Sequence, residues 1–405
     1  MNICVISNLY PPLARGGAEI VAARVVHELC RRGHRVVVIS TRPFDGPASC
    51  VTPTVERATE TVYRFFPLNV YHTLSDHRHA FPVRCLWHLV DLWSPVSAKV
   101  VGSILDREKP DVVLTHNLKG IGLAIPREIR KRGIRHVHTI HDVQLSIPSG
   151  LLLYGQEETW TNRSFLRTGY EAATQKAIGS PDVVVSPSHY LADFYRSRGF
   201  FSKSLMEIVP NPSPDVQAPT VDRRPAGPLR LLFAGQLEAH KGIVFLLETI
   251  AKLSIPVELH IAGEGSLAAF VSDWADRNRT VTYHGFVSLE NLLKLLVLCD
   301  AVVVPSLCYE NSPTILYESF LTGIPVLASA IGGIGELVRR GENGLLFTPG
   351  DAKELASTIQ TFASELPAWR EKHASIQRGI MPYRLSVYVD TLERLMNTVF
   401  SRRFS

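Results

Sequence analysis

Apolar runs of strand length that alternate with helix-length segments constrain this chain more than any other feature. In the second half such runs fall at Leu229–Ala234, Val257–Ala262, Thr280–His284, Ala301–Val304, Pro325–Ala328 and Gly344–Phe347, with helical segments between them. Continuous apolar strands are buried on both faces, and the helices supply the crossovers that parallel pairing demands. The first half opens in the same style. Strand Asn2–Ser7 leads into a glycine loop, Pro11 to Gly17; Ala18–Arg32 has helical periodicity; Gly33 ends that helix, and Arg35–Ser40 is the next strand. Later strands are expected at Val112–Thr115, His136–Ile140 and Val183–Ser186, while the aromatic and histidine-rich stretch Phe65–Trp93 reads as loops and helices.

A chain of 405 residues exceeds one ordinary core. The expected architecture is α/β, with two Rossmann-like parallel-sheet domains facing across a cleft. The first spans 1–212 and the second 229–381. Residues 213–228 form a linker rich in proline and arginine, and 382–405 carry a terminal amphipathic helix that packs back on the first domain.

Composition narrows the chemistry. A net charge of +5 suits anionic substrates and gives no case for nucleic acid. The six cysteines are scattered without zinc or redox spacing, which predicts a reducing, cytoplasmic setting. Met1–Tyr10 lacks a basic leader and a full hydrophobic region, so it does not read as a signal peptide. No stretch approaches the roughly 20 apolar residues of a membrane span; Leu289–Val304 comes nearest and is broken by Lys294 and Asp300. Contact with a membrane's cytoplasmic face stays open. The basic segment Arg127, Arg130, Lys131, Arg132 and Arg135 reads first as a solvated helix face and second as a contact for anionic headgroups.

The richest motif is Glu310-Asn311-Ser312-Pro313-Thr314-Ile315-Leu316-Tyr317-Glu318, which follows the buried strand Ala301–Val304. Ser312 is placed to cap a helix, and Pro313 suits its first turn. Glu310 then lies in the strand-to-helix loop and Glu318 in the helix. Ligands of open α/β sheets bind beyond the carboxyl ends of the strands, and a helix N-terminus offers N–H groups and positive potential to an anion. A phosphate-sized site flanked by two carboxylates suits a molecule with both phosphates and sugar hydroxyls.

In order along the chain stand Gly16-Gly17-Ala18-Glu19, His141-Asp142, Phe233-Ala234-Gly235 with Lys241-Gly242, Ile261-Ala262-Gly263-Glu264-Gly265, Glu310 through Glu318, and Gly332-Gly333-Ile334-Gly335-Glu336. With these pieces the sequence resembles the retaining glycosyltransferases of family 4, which have the GT-B fold. The resemblance implies a nucleotide-sugar donor in the second domain, a carbohydrate or lipid-linked acceptor at the first, and no obligatory metal or other cofactor. The setting it implies is surface polysaccharide or glycolipid synthesis.

It also implies roles. Glu318 receives ribose hydroxyls, and Glu310 faces the transferred sugar, where a carboxylate favours oxocarbenium charge. The backbone of Asn311, Ser312 and Thr314 meets the distal phosphate and sugar, with Pro313 shaping the loop. Lys241 neutralises the diphosphate as it departs. The family's usual arginine five positions before that lysine is replaced here by Gln236, which can hydrogen-bond a phosphate but brings no charge. Gly16 and Gly17 approach the phosphates, and Glu19 supports the first helical turn. His141 contacts the donor sugar, while Gly285 and Phe286 flank the base. Three rivals remain: an inverting transferase with His141 as base and Asp142 as orienter, a sugar-nucleotide epimerase, and a non-catalytic nucleotide-sugar-binding protein.

Overall fold

A computed structural model of the chain describes residues 1–14, 16–159, 164–219 and 227–401. Residues 220–226 of the expected linker lie outside the described residues. The chain divides into two compact units, the first holding Met1–Leu151, Glu158–Asn211 and the segment from Leu385 onward, the second Leu152–Glu157 and Pro212–Arg384.

The first unit carries β1 (Asn2–Ile6), β2 (Arg35–Thr41), β3 (Thr54–Arg57), β4 (Thr61–Phe65), β5 (Val112–Thr115), β6 (Arg135–Thr139), β7 (Val183–Ser186) and β8 (Leu205–Ile208). Their order across the sheet is β3-β4-β2-β1-β5-β6-β7-β8. All pairings are parallel except that of β3 with β4. Central β1 sets Val5 opposite Val38 on one side and Leu114 on the other. These residues are fully buried or nearly so, which is why the strand reads as an unbroken apolar run.

Helix Gly17–Arg31 lays Val21, Val25 and Leu29 on this sheet, and the last helix, Leu385–Ser401, closes the same core with Leu385, Val389, Leu392 and Met396. An ion-pair cluster fastens the two helices. Arg32 reaches Glu28, Asp390 and Glu393 at 2.6–2.9 Å, and His34 Nε2 lies 2.8 Å from Glu393. Burial would push the Glu28 carboxyl up, but hydrogen bonds from Arg31 and Arg32 outweigh it and hold it below the ordinary range.

The second unit is built on β9 (Leu229–Ala234), β10 (Val257–Ala262), β11 (Val281–Tyr283), β12 (Ala301–Val304), β13 (Val326–Ser329) and β14 (Gly344–Phe347). The sheet is wholly parallel in the order β11-β10-β9-β12-β13-β14. Separate apolar clusters cover its two faces, one with Leu231, Leu259 and Val303, the other with Leu232, Val302 and Leu316. Counted from its first strand this is the 3-2-1-4-5-6 order of dinucleotide folds, which reverses between β9 and β12 and opens a ligand crevice there.

The structure differs from the sequence expectations in three places. The β3–β4 hairpin and edge strand β8 add to the first sheet. Leu152–Glu157, expected inside the first domain, belong to the second unit, where Leu153 pairs antiparallel with Cys308. The start of the expected linker is packed instead: residues 213 and 214 are buried, and the Ser213 N–H donates to the Tyr383 carbonyl at 2.7 Å.

A candidate nucleotide-sugar site

The strand-order reversal in the second unit brings together two loops that are far apart in sequence. One leaves β9 and runs from Gly235 to Gly242; the other leaves β12 and runs from Pro305 to Pro313. Gly242 adopts φ +76°, and a Cβ there would lie 1.9 Å from the Pro305 carbonyl oxygen, so only glycine lets the loops touch. The Leu307 N–H also donates to the His240 carbonyl at 2.9 Å. The Leu152–Glu157 segment braces the far side, with Tyr309 N–H on the Leu152 carbonyl and Tyr154 N–H on the Leu307 carbonyl, both at 2.9 Å.

This weld sets Lys241 against Glu310. The ammonium donates to Glu310 Oε1 at 2.5 Å, and the Ser306 hydroxyl donates to the same oxygen at 3.0 Å. Burial would raise the Glu310 carboxyl, but the adjacent Lys241 charge and these hydrogen bonds prevail and hold it below the usual carboxylate range. Burial likewise would lower Lys241, and the Glu310 charge overrides it, so the lysine sits above its ordinary value. Both groups are therefore charged at neutral pH. An ammonium has three donors, so Lys241 can serve Glu310 and a phosphate together. The loop after β13 clamps the Glu310 backbone. The Gly333 N–H donates to the Glu310 carbonyl at 2.7 Å, and Gly332, at φ +58°, would bring a Cβ within 2.1 Å of that oxygen.

From Glu310 the chain runs directly into helix Thr314–Leu321. The expected cap is corrected here. Pro313, in extended conformation, is the N-cap, and the Ser312 hydroxyl turns to the Tyr317 hydroxyl at 2.5 Å. Helix N-termini attract anions, and at this one the Leu316 N–H donates to the Pro313 carbonyl at 3.2 Å. Glu318 sits one turn in and is 6% exposed. It is therefore no solvated helix residue. Gln236 is half-buried on the β9 loop that carries Lys241. Gly285 follows β11 and accepts the Gly263 N–H at 2.8 Å, and Phe286 beside it is 73% exposed.

In the first unit the Gly16 N–H donates to the Glu19 carboxylate at 2.8 Å, which fixes the start of helix Gly17–Arg31. His141 follows β6, and its Nε2 lies 2.9 Å from Nδ1 of His116, the residue after β5, with the rings stacked. Burial, then the neighbouring His116 and His138, keep His141 neutral. The Asp142 carboxylate takes the Gln144 N–H at 2.8 Å, and burial raises its pKa to about 6. His116 was not among the residues singled out from the sequence. Its signal was available, as a histidine directly after an apolar strand that pairs with β6.

The basic segment is more committed than a solvated face. Arg130 donates to the Ala177 and Ile178 carbonyls, and Arg132 pairs with Asp106 and Glu128. Among the described residues, no helix is long and apolar enough to cross a membrane.

Residues 15–217 match the model of Glycosyltransferase Family 4, and residues 228–365 match Glycosyl transferases group 1. Two similar sequences are 28% identical to the chain. One is an uncharacterized 42.6 kDa protein in the cps region of Klebsiella pneumoniae, aligned over 84% of this chain and 88% of its own. The other is a glycogen synthase of Mycobacterium tuberculosis, over 93% and 89%. Among solved structures, sucrose-phosphate synthase from Thermosynechococcus elongatus superposes with a TM-score of 0.77 at 19% identity, covering 99% of this chain and 100% of its own. Anabaena HepE in complex with UDP does so with 0.72 at 18% identity, covering 98% and 100%.

Proposed function

We propose, from the premise that this chain belongs to glycosyltransferase family 4 and is a glycosyltransferase, that it moves a hexosyl-type group from a nucleoside diphosphate sugar to an acceptor hydroxyl with retention at the anomeric carbon. The observation that carries this reading is the Lys241–Glu310 pair at the strand-order reversal, beside the N-terminus of helix Thr314–Leu321. The diphosphate docks on that helix end with Lys241 against it, and Glu318 takes the ribose hydroxyls. Glu310, kept ionised, faces the sugar and opposes its developing positive charge. Asn311 to Thr314 line the distal phosphate, Gln236 adds a neutral hydrogen bond, and Gly285 and Phe286 flank the base. HepE has been solved with UDP and with UDP-glucose, which supports a donor of this class.

In the proposed retaining reaction the sugar–phosphate bond breaks as the acceptor oxygen attacks from the same face. The departing phosphate oxygen takes the acceptor proton, so no dedicated base is needed. The protein contributes position and charge. The buried, neutral His141 and the Gly16-Gly17 turn serve donor placement from the first unit, where the acceptor, a carbohydrate or a lipid-linked one, also binds. The proposed setting is polysaccharide or glycolipid assembly on the cytoplasmic side, and the glycogen synthase among its relatives supports the polysaccharide part.

The test is transfer from a panel of UDP-, GDP- and ADP-sugars, with the product's anomeric configuration read by NMR. Retention, undiminished by EDTA, is the expected outcome. An inverted product overturns the mechanism, and loss of turnover in EDTA overturns metal independence. Conversion of the donor with no acceptor present would favour the epimerase.

A further inference from the structure

Segment Leu152–Glu157 interrupts the first unit in sequence but belongs to the second, where it lies along the loop that carries Glu310. The antiparallel Leu153–Cys308 bridge and the backbone bonds at Leu307 and Tyr309 hold it there. A side-chain tie closes its end. The Tyr309 hydroxyl donates to Glu157 Oε1 at 2.7 Å, and the Gly155 N–H donates to the same oxygen at 2.9 Å. The Tyr309 phenol first, then backbone N–H groups, keep the Glu157 carboxyl below its ordinary range, so it is ionised at neutral pH. Burial and that carboxylate both raise the phenol, which keeps its proton. The tie is therefore a charge-assisted hydrogen bond, stronger than a neutral one.

The next residue, Glu310, is anchored through one oxygen. Lys241 and Ser306 donate to Oε1, and the Cys308 Sγ lies 3.9 Å from it. Burial, then the Glu310 charge, push the Cys308 thiol up to about 12, so it too stays protonated as a donor. Among the described residues, no group donates to Oε2. Two consecutive residues are thus tied to different parts of the unit, Tyr309 to the inserted segment and Glu310 to the β9 loop. A carboxylate that opposes charge on a reacting sugar must be held closely, since a misplacement of about 1 Å can cost roughly 10²-fold in rate.

We infer that Glu157 and Tyr309 are positioning residues for the transfer reaction: their hydrogen bond sets the loop so that Glu310, held through Oε1, presents Oε2 to the sugar, on the reading above that Glu310 faces that sugar.

The test measures kcat and donor KM for Tyr309→Phe, Glu157→Ala and Glu157→Gln, each in the wild-type and the Glu310→Gln background, with the UDP-, GDP- or ADP-sugar that the wild type transfers. Tyr309→Phe and Glu157→Ala should each lower kcat about tenfold, short of the full cost of a 1 Å misplacement, and leave donor KM unchanged. Their combination should lose no more than either alone, because the same bond is missing in all three. Glu157→Gln, whose amide oxygen still accepts from the phenol, should keep most of kcat. In the Glu310→Gln background all three substitutions should have no further effect. Unchanged kcat in Tyr309→Phe overturns the inference. So does a rise in KM with kcat intact, or an equal loss of kcat in both backgrounds, which a general loosening of the unit would give. Near-normal kcat in Glu310→Gln alone, or a wild type that transfers from no sugar of the panel, removes the reading of Glu310 and the positioning role with it.

Discussion

Turnover of Lys241→Ala is expected to fall by about 10²–10³-fold, the loss that follows removal of one well-placed electrostatic donor. The substitution does two things. It removes the cation that meets the departing diphosphate, and it leaves the Glu310 carboxylate, 14% exposed, beside Ser306 with no counter-charge. The second effect costs roughly 1–3 kcal/mol of stability and would by itself depress activity at assay temperature. The pair Lys241→Ala/Glu310→Gln separates them. Glu310→Gln alone sets the reference, because Glu310 itself faces the sugar. If Lys241 only neutralises its neighbour, the double variant turns over as fast as Glu310→Gln. If Lys241 stabilises the leaving phosphate, melting temperature recovers but kcat falls well below that of Glu310→Gln. Steady-state kinetics of the wild type and the three variants with a saturating donor decide between these outcomes. Near-normal kcat in Lys241→Ala removes the lysine from catalysis. The prediction is sharpened by Gln236, since the β9 loop has no arginine at that position to share the load.

The second large effect is acid destabilisation of the first unit. Burial depresses His72, His88 and His116 to about 4 and His136 to about 3, and drives His138 and His141 down as well. A histidine whose folded pKa lies below its unfolded value near 6.5 contributes stability above that value and loses it as pH falls, because the unfolded chain then binds the extra proton. From pH 7 to 5 each of the first four costs about 2 kcal/mol, or about 8 together. Two carboxyls oppose this. Burial raises Asp91 to about 7 and Asp142 to about 6. Their folded forms take up protons first, and they return about 4 kcal/mol over the same range. The histidines win, by about 4 kcal/mol before His138 and His141 are added, against a typical domain stability of about 5–15 kcal/mol. Hydrogen exchange at pH 7 and pH 5 should therefore show β5, β6 and β7 losing protection well before β9, β10 and β12. Equal protection of the two units at both values would contradict the imbalance.

Much of the fold was legible because its central strands are buried on both faces. Leu229–Ala234, Val257–Ala262 and Ala301–Val304 announce themselves as apolar runs for that reason. The edges were not. β3 is solvent-exposed along its length, and β4 contains Arg64, an unlikely core residue until its guanidinium is seen on the Tyr10 and Pro11 carbonyls. β8 is half-buried and includes Glu207. At the site, Glu310, Lys241 and Glu318 could be named one by one from their motifs. That Lys241 and Glu310 form an ion pair could not, since the contact exists only because β9 and β12 are neighbours in the sheet. The Ser312 cap was misjudged for a related reason. A hydroxyl ahead of a helix normally serves the backbone, but Tyr317 stands close enough to claim this one.

The most direct measurement is a crystal structure of the chain with a nucleoside diphosphate bound. The expected density places the two phosphates at the N–H groups that open helix Thr314–Leu321, within reach of Lys241 Nζ, and puts the ribose hydroxyls on the Glu318 carboxylate. Phosphates held elsewhere, with the Lys241–Glu310 pair and that helix end untouched, would contradict the assignment.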